Sequence, residues 1–153
     1  MPLRFSYGRL SFEEVWQFLI ETDNLFPTSL SLHVNIDSYA RKLSDFSDFS
    51  ICRDPKGIVG MISCYTNKPP VGYISNVCVK NEFQGMGVFT KMFMLLVAKA
   101  KEKGIETLRL EVDLNNSKAL NLYSLLGFHL VETREDRNKL LLECDILHIP
   151  VGL

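Results

Sequence analysis

No excess of charge of either sign marks this chain. Its 153 residues hold 17 Lys and Arg against 18 Asp and Glu, a formal net charge of -1. Nucleic-acid binders draw affinity from clustered cations on phosphates, so this balance argues against such a partner. The densest basic run, Lys99-Ala100-Lys101-Glu102-Lys103, reads as the solvated end of a helix, where cations suit the dipole. No stretch reaches the about 18 uninterrupted apolar residues of a membrane span. Met1-Pro2-Leu3-Arg4 lacks the charged-then-apolar layout of a secretory leader. A membrane partner is therefore not expected, and a cytoplasmic location is. Cysteine is sparse: Cys52, Cys64, Cys78 and Cys144 form no Cys-x-x-Cys pair, and the three histidines are scattered. Metal-ligand spacing is missing, so no metal is expected. All four thiols fall in apolar, strand-like runs, where cysteine behaves as a small hydrophobe.

What is present is one domain's worth of patterned sequence, 1–153, without repeats or linkers. Leu3 to Tyr7 reads as a strand. Ser11-Phe12-Glu13-Glu14 matches a capping box and opens a helix ending near Thr22, with Phe12, Val15, Trp16, Leu19 and Ile20 on one stripe. Asp23 to His33 is loop-like, and a second helix is predicted from Ile36 to Leu43. Strands follow at Phe49–Arg53 and Ile58–Thr66 around the turn Asp54-Pro55-Lys56-Gly57, then at Gly72–Val79. In the last of these, alternation sets Tyr73, Ser75, Val77 and Val79 against Ile74, Asn76 and Cys78. A helix from Val88 to Lys103 stops at Gly104, and Thr107–Val112 is a strand. Asn116 or Ser117 caps a helix that ends at Gly127, and Phe128–Thr133 with Lys139–Leu147 forms a closing hairpin. The strand–helix–strand unit in the middle implies a parallel pair. The fold class is mixed α/β, ordered β-α-α-β-β-β-α-β-α-β-β.

Val79-Lys80-Asn81-Glu82-Phe83-Gln84-Gly85-Met86-Gly87-Val88-Phe89-Thr90 is the most informative stretch. A strand runs into a turn with two glycines, and the turn opens straight into a helix. Such a turn exposes N–H groups at the positive end of the helix dipole and suits phosphate. By itself it is either a phosphate cradle or a tight strand-to-helix turn. A dinucleotide fingerprint would need glycine where Thr90 stands, and a Walker loop would need Gly-Lys-Ser/Thr.

A second pattern narrows the choice. Asn116, Ala119, Leu122, Tyr123, Gly127 and Phe128 match Asn-x-x-Ala-x-x-Leu-Tyr-x-x-x-Gly-Phe, while Gln84 and Gly87 fit Gln/Arg-x-x-Gly-x-Gly/Ala, with Phe89 at its last position. Together they closely resemble the GNAT superfamily of acetyl-CoA-dependent N-acetyltransferases. That resemblance implies a mostly antiparallel twisted sheet with a central splayed parallel pair and about four flanking helices. It also implies acetyl-CoA as cosubstrate. N–H groups of Gln84, Gly85, Met86, Gly87, Val88, Phe89 and Thr90 would wrap the pyrophosphate. The main chain of Val77, Cys78 and Val79 would serve the pantetheine arm and the thioester oxygen. Asn116 and Ala119 would lie along that arm, although Asn116 also reads as a plain N-cap. Tyr123, a core aromatic on the bland reading, would protonate the leaving thiolate.

Two positions depart from the family's pattern. Phe89 stands where Gly or Ala is usual, so its ring must turn from the phosphates into the core beneath the helix. Ser75 and Asn76 stand where many relatives carry a carboxylate, and neither takes a proton at neutral pH. Asn76 or Ser75 holding a relay water is the preferred arrangement; His33 and Glu82 are other candidates. The acceptor side is expected to include Phe26, Leu30, His33 and Ser75, and its aromatic and hydroxyl character suits an amino sugar or another small polar amine. The competing readings are a protein or peptide N-acetyltransferase and a non-catalytic acyl-CoA-binding module. The protein is expected to be a monomer or a homodimer, with the apolar run Leu140, Leu141, Leu142 and Ile146 as a possible strand edge for pairing.

Overall fold

The computed structural model describes residues 2–25, 29–32 and 34–149. Its elements run β1 (Arg4–Gly8), α1 (Phe12–Thr22), α2 (Ile36–Phe46), β2 (Asp48–Asp54), β3 (Gly57–Tyr65), β4 (Val71–Val79), α3 (Val88–Glu102), β5 (Thr107–Asp113), α4 (Ser117–Leu125), β6 (His129–Arg134) and β7 (Lys139–Asp145). The predicted order holds throughout. Local chemistry sets the ends. Ser11 and Glu14 complete the capping box of α1, Asn35 caps α2 through Ser38 N–H, and Asn116 caps α4 through Ala119 N–H. Short 3₁₀ turns at Asp23–Leu25 and Leu30–Leu32 break the connection between α1 and α2.

One seven-stranded sheet has the order β1-β2-β3-β4-β5-β7-β6. Every neighbouring pair is antiparallel except β4 with β5. Two apolar cores lie on opposite faces of this sheet. One packs α3 and α4 against Ile62, Cys64, Ile74, Leu108 and Leu110; the other packs α1 and α2 against Phe49, Ile51, Met61 and Cys78.

Two expectations are corrected here. The simple alternation along β4 fails, because Ser63 faces Asn76 while Cys64 faces Ile74, leaving Ser75 as an extra residue. This bulge puts Ile74 in the α3 core with Val77, while Asn76 and Cys78 face the α1–α2 side. The second correction concerns the apolar run of β7. That strand is not an edge: β7 lies between β5 and β6, and Leu141, Leu142 and Ile146 are buried. Its apolar content serves the interior of the sheet, and it gives no reason for pairing with a second copy.

Asp48 ties the far end of α3 to the sheet. Its carboxylate is buried and accepts from the Tyr7 hydroxyl at 2.8 Å, the Thr66 hydroxyl at 2.8 Å and the Lys103 ammonium. Burial pushes the carboxyl up, but the Lys103, Tyr7 and Thr66 hydrogen bonds outweigh it and hold it below its ordinary value. A depressed carboxyl stabilises the fold above its unfolded pKa of about 3.9 and loses that contribution as pH falls through the folded value. Asp48→Asn is therefore expected to cost about 2 kcal/mol at pH 7. Urea unfolding at pH 7 and at pH 3 checks this: the gap between wild type and variant should narrow in acid.

Candidate active site

β4 and β5 run together for only three residues a side, Val71–Tyr73 against Thr107–Arg109. Beyond Tyr73 and Arg109 the strands part. The opening is a cleft of about 200 Å³ whose walls include Ser75, Asn76, Glu111, Asn116, Ala119 and Tyr123. A larger hollow of about 400 Å³ lies between α1 and the β2–β3 turn. It is crossed by the ion pairs Arg53–Glu14 and Lys80–Glu21 and has neither the glycine turn nor Tyr123 in its wall. The smaller cleft has Asn116 and Tyr123 in its wall, and the glycine turn borders neither hollow directly.

The edge of β4 that faces this cleft can be read from its pairing. Lys80 N–H donates to Val59 C=O at 2.9 Å, and the ladder continues without a break through Cys78 with Met61. In an antiparallel ladder alternate residues point both main-chain groups at the partner, so Cys78 turns toward β3. Val77 and Val79 turn theirs the other way, into the gap. Of the three residues expected to serve the pantetheine arm, Val77 and Val79 turn their main chain into the gap and Cys78 turns its toward β3. The Cys78 thiol is buried in the α1–α2 core, and that burial pushes it up to about 11.

The glycine turn stands at the end of β4. Gly85 and Gly87 have φ of 78° and 77°, the left-handed region that L side chains rarely adopt, and a Cβ on either would project into open space. Gly87 is the N-cap of α3 and supplies no side-chain partner to its first turn, so the opening N–H groups of the helix are presented to that space. A cradle free of side chains at the positive end of a 15-residue helix fits a diphosphate. Gln84 differs from its expected role. Its N–H is spent on Asn81 C=O at 3.2 Å, and its side-chain amide donates to Val79 C=O at 2.9 Å. It braces the loop, and the free N–H series begins at Gly85.

Lys118 was not anticipated from the sequence. From the first turn of α4 its ammonium reaches Gln84 Oε1 at 3.2 Å, which places a cation beside the cradle across the mouth of the cleft. The signal was visible only as the residue two places after Asn116 in the second pattern. Lys118→Ala is expected to weaken coenzyme A binding about fivefold at low salt, with the difference shrinking at high ionic strength. Calorimetric titrations at two salt concentrations check it.

Phe89 turns away from the loop as expected and packs on Phe93 with ring centroids 6.0 Å apart. It also meets the Tyr123 ring edge-on at 6.1 Å and 71°, and Phe128 meets Tyr123 from another side at 5.5 Å and 60°. The bulky residue of the loop thus becomes part of the clamp that orients Tyr123. Burial pushes the Tyr123 hydroxyl up to about 12, so it stays an O–H donor across the neutral range. Asn116 uses Oδ1 on Ala119 N–H at 3.1 Å, leaving its amide N–H₂ for the cleft.

On the acceptor side, Leu30 and Tyr39 line the cleft with Ser75 and Asn76, whereas Phe26 and His33 lie outside the described residues. Asn76 is 4% exposed, and its Oδ1 is buried without a hydrogen-bond partner among the described residues. Glu82 is exposed on the 3₁₀ turn Asn81–Phe83, away from this wall. Two carboxylates do line the cleft, both from the other strand: Glu111 and Asp113, the latter paired with Lys139 at 2.8 Å. Glu111 follows Arg109 on the polar side of β5, opposite the buried Leu108, Leu110 and Val112. Its Oε2 accepts from Arg134 and, at 2.8 Å, from Arg137. Among the described residues no group of three or more His, Cys, Asp and Glu side chains is gathered for a metal ion.

A model of the acetyltransferase (GNAT) family matches residues 12–128. The chain is 39% identical over 62 residues to GCN5-related N-acetyltransferase 6, chloroplastic, of Arabidopsis thaliana, a match covering 40% of this chain but 22% of that protein. It is 25% identical over 117 residues to N-alpha-acetyltransferase 30 of Schizosaccharomyces pombe, covering 73% of this chain and 78% of the other. The fold superposes with a TM-score of 0.73 and 16% identity on the PaiA N-acetyltransferase of Thermoplasma acidophilum, solved with coenzyme A, over 95% of this chain and 99% of that one. With the parted strands, the glycine cradle and the family model coinciding over residues 12–128, the chain belongs to the GNAT family of acetyl-CoA-dependent acetyltransferases.

Proposed function

We propose that the protein transfers an acetyl group from acetyl-CoA to the primary amine of a small polar molecule, an amino sugar or a compound like it, by direct attack. The observation that carries this reading is that the free edge of β4 at Val77 and the clamped Tyr123 line one gap, while the same strand runs on into the glycine cradle. Bound acetyl-CoA supplies the activated acyl group. The chain's own residues do the rest. Val77 N–H faces the gap and can hydrogen-bond a carbonyl oxygen there, a type of contact worth about 2.7–4 kcal/mol when lost. Tyr123 donates its proton toward the departing sulfur. Ser75 and Asn76 hold water beside the incoming amine, and Glu111, which lines the cleft together with Asp113, anchors the ammonium and accepts its proton. Cys78 is unsuited to carry the acyl group itself, being buried, raised and turned from the gap.

The hydroxyl and amide lining of the acceptor wall supports a small polar acceptor. A protein α-amino group is the second reading, favoured by the likeness to N-alpha-acetyltransferase 30 over 73% of this chain. Thiol release from acetyl-CoA, measured against amino sugars, amino acids, polyamines and peptides with free N-termini, separates them. Turnover confined to peptides would end the small-molecule reading, and binding of CoA without turnover on any amine would end the enzymatic one.

A further inference from the structure

We propose that Tyr39, on α2, is a positioning residue: its hydroxyl locks the β4 bulge at Ser75 and so aims Val77 N–H into the gap. The inference rests on the acetyl-CoA reading of the cleft. Ser75 is where β4 is least supported. On one side its pairing with β5 has ended at Tyr73, and on the other Ser75 is the residue skipped by the β3 register. A bulge of this kind can revert by slipping one residue, and a slip would exchange the faces of Ser75, Asn76 and Val77. What holds it comes from outside the sheet. The Tyr39 hydroxyl is 3.1 Å from Ser75 C=O and 2.6 Å from Ser75 Oγ. Both contacts are satisfied when Tyr39 O–H donates to the carbonyl and Ser75 O–H donates back to the Tyr39 oxygen.

The clamp is itself anchored. Ile36, Ala40 and Leu43 of α2 are buried against the sheet, so the Tyr39 ring is delivered by a helix that cannot easily withdraw. Its hydroxyl is pushed up to about 12 by burial and remains a donor. The next residues, Asn76 and Val77, then leave the bulge in a fixed direction. Asn76 keeps its Oδ1 buried, without a hydrogen-bond partner among the described residues, and Val77 turns its main chain to the gap. One side chain on the α1–α2 face thus sets the geometry of a main-chain donor on the strand edge. Tyr39 lines the acceptor side of the cleft, but its hydroxyl is engaged by Ser75, and it is through Ser75 that it acts.

The test uses the full chain as wild type, Tyr39→Phe, Ser75→Ala and the double variant. Dissociation constants for acetyl-CoA and for CoA are measured by calorimetry, and the carbonyl resonance of bound [1-13C]acetyl-CoA by NMR. In Tyr39→Phe, acetyl-CoA affinity is expected to fall about fivefold, the loss of one hydrogen bond to the acyl oxygen. CoA affinity should stay within about twofold and the bound carbonyl resonance should move toward its free position. Ser75→Ala should move the resonance the same way, and the double variant should do no more than Tyr39→Phe, because the two groups act as one. An unchanged resonance in Tyr39→Phe, or equal losses of acetyl-CoA and CoA affinity, would overturn the positioning role. Wild type that binds neither molecule would overturn the acetyl-CoA reading and this inference with it.

Discussion

Tyr123→Phe is expected to slow acetyl transfer about 100-fold. Coenzyme A should bind the variant as tightly as it binds wild type. The substitution removes one oxygen and leaves the ring, so the edge contacts with Phe89 and Phe128 that lock it are retained. Folding should be unaffected for the same reason. What is lost is the donor facing the cleft, which burial keeps protonated because it is pushed up to about 12. Saturating kinetics by thiol release and a separate CoA titration divide the outcomes. A variant as fast as wild type would mean that Tyr123 is only a wall of the cleft. A matching loss in CoA affinity would mean that it supports binding and nothing more.

The second large effect is expected at Glu111. Glu111→Gln should reduce kcat/KM for the acceptor about 100-fold, with CoA affinity unaltered, since the carboxylate lies on the acceptor side of β5. Gln keeps the shape and one acceptor oxygen, so the turn between β6 and β7 can still be held through Arg134 and Arg137, though by weaker, singly charged hydrogen bonds. Glu111→Asp should recover part of the rate. The rival explanation is structural, that Glu111 exists to fasten that turn. It predicts a lowered melting temperature with kinetics near wild type, and the two measurements together separate the cases.

Most of the architecture could be read from the chain because its signals are local. Ser11 and Glu14, Asn116, Gly87 and Gly104 are start and stop signals that act over three or four residues, and each stands where the structure uses it. The two motifs located the donor side for a similar reason, since a turn and a helix start are short-range features. The misreadings share one cause. The bulge at Ser75 depends on how β3 pairs with β4, and the burial of β7 depends on its insertion between β5 and β6. Neither is encoded within a few residues. Strand alternation alone put Ser75 with Val77, and a run of three leucines looked like an exposed edge. The same limit hid Glu111 and Lys118. Glu111 becomes a cleft residue only because β4 departs from β5, and Lys118 meets Gln84 only because α4 ends up beside the cradle. The acceptor side was the least legible part, since it is assembled from α2, β4, β5 and the β6–β7 turn, four segments with no common motif.

The two apolar cores on opposite faces of the sheet divide the molecule's freedom to vary. The donor apparatus, with α3, α4, Phe89 and Tyr123, draws its packing from one core, while α2, which brings Tyr39 to the acceptor wall, packs with α1 in the other. Strain introduced on one face has to cross a hydrogen-bonded sheet to reach the other, so substitutions in the two cores should act nearly independently. A lineage built on this plan can remodel what it acetylates while its hold on the acetyl donor stays fixed.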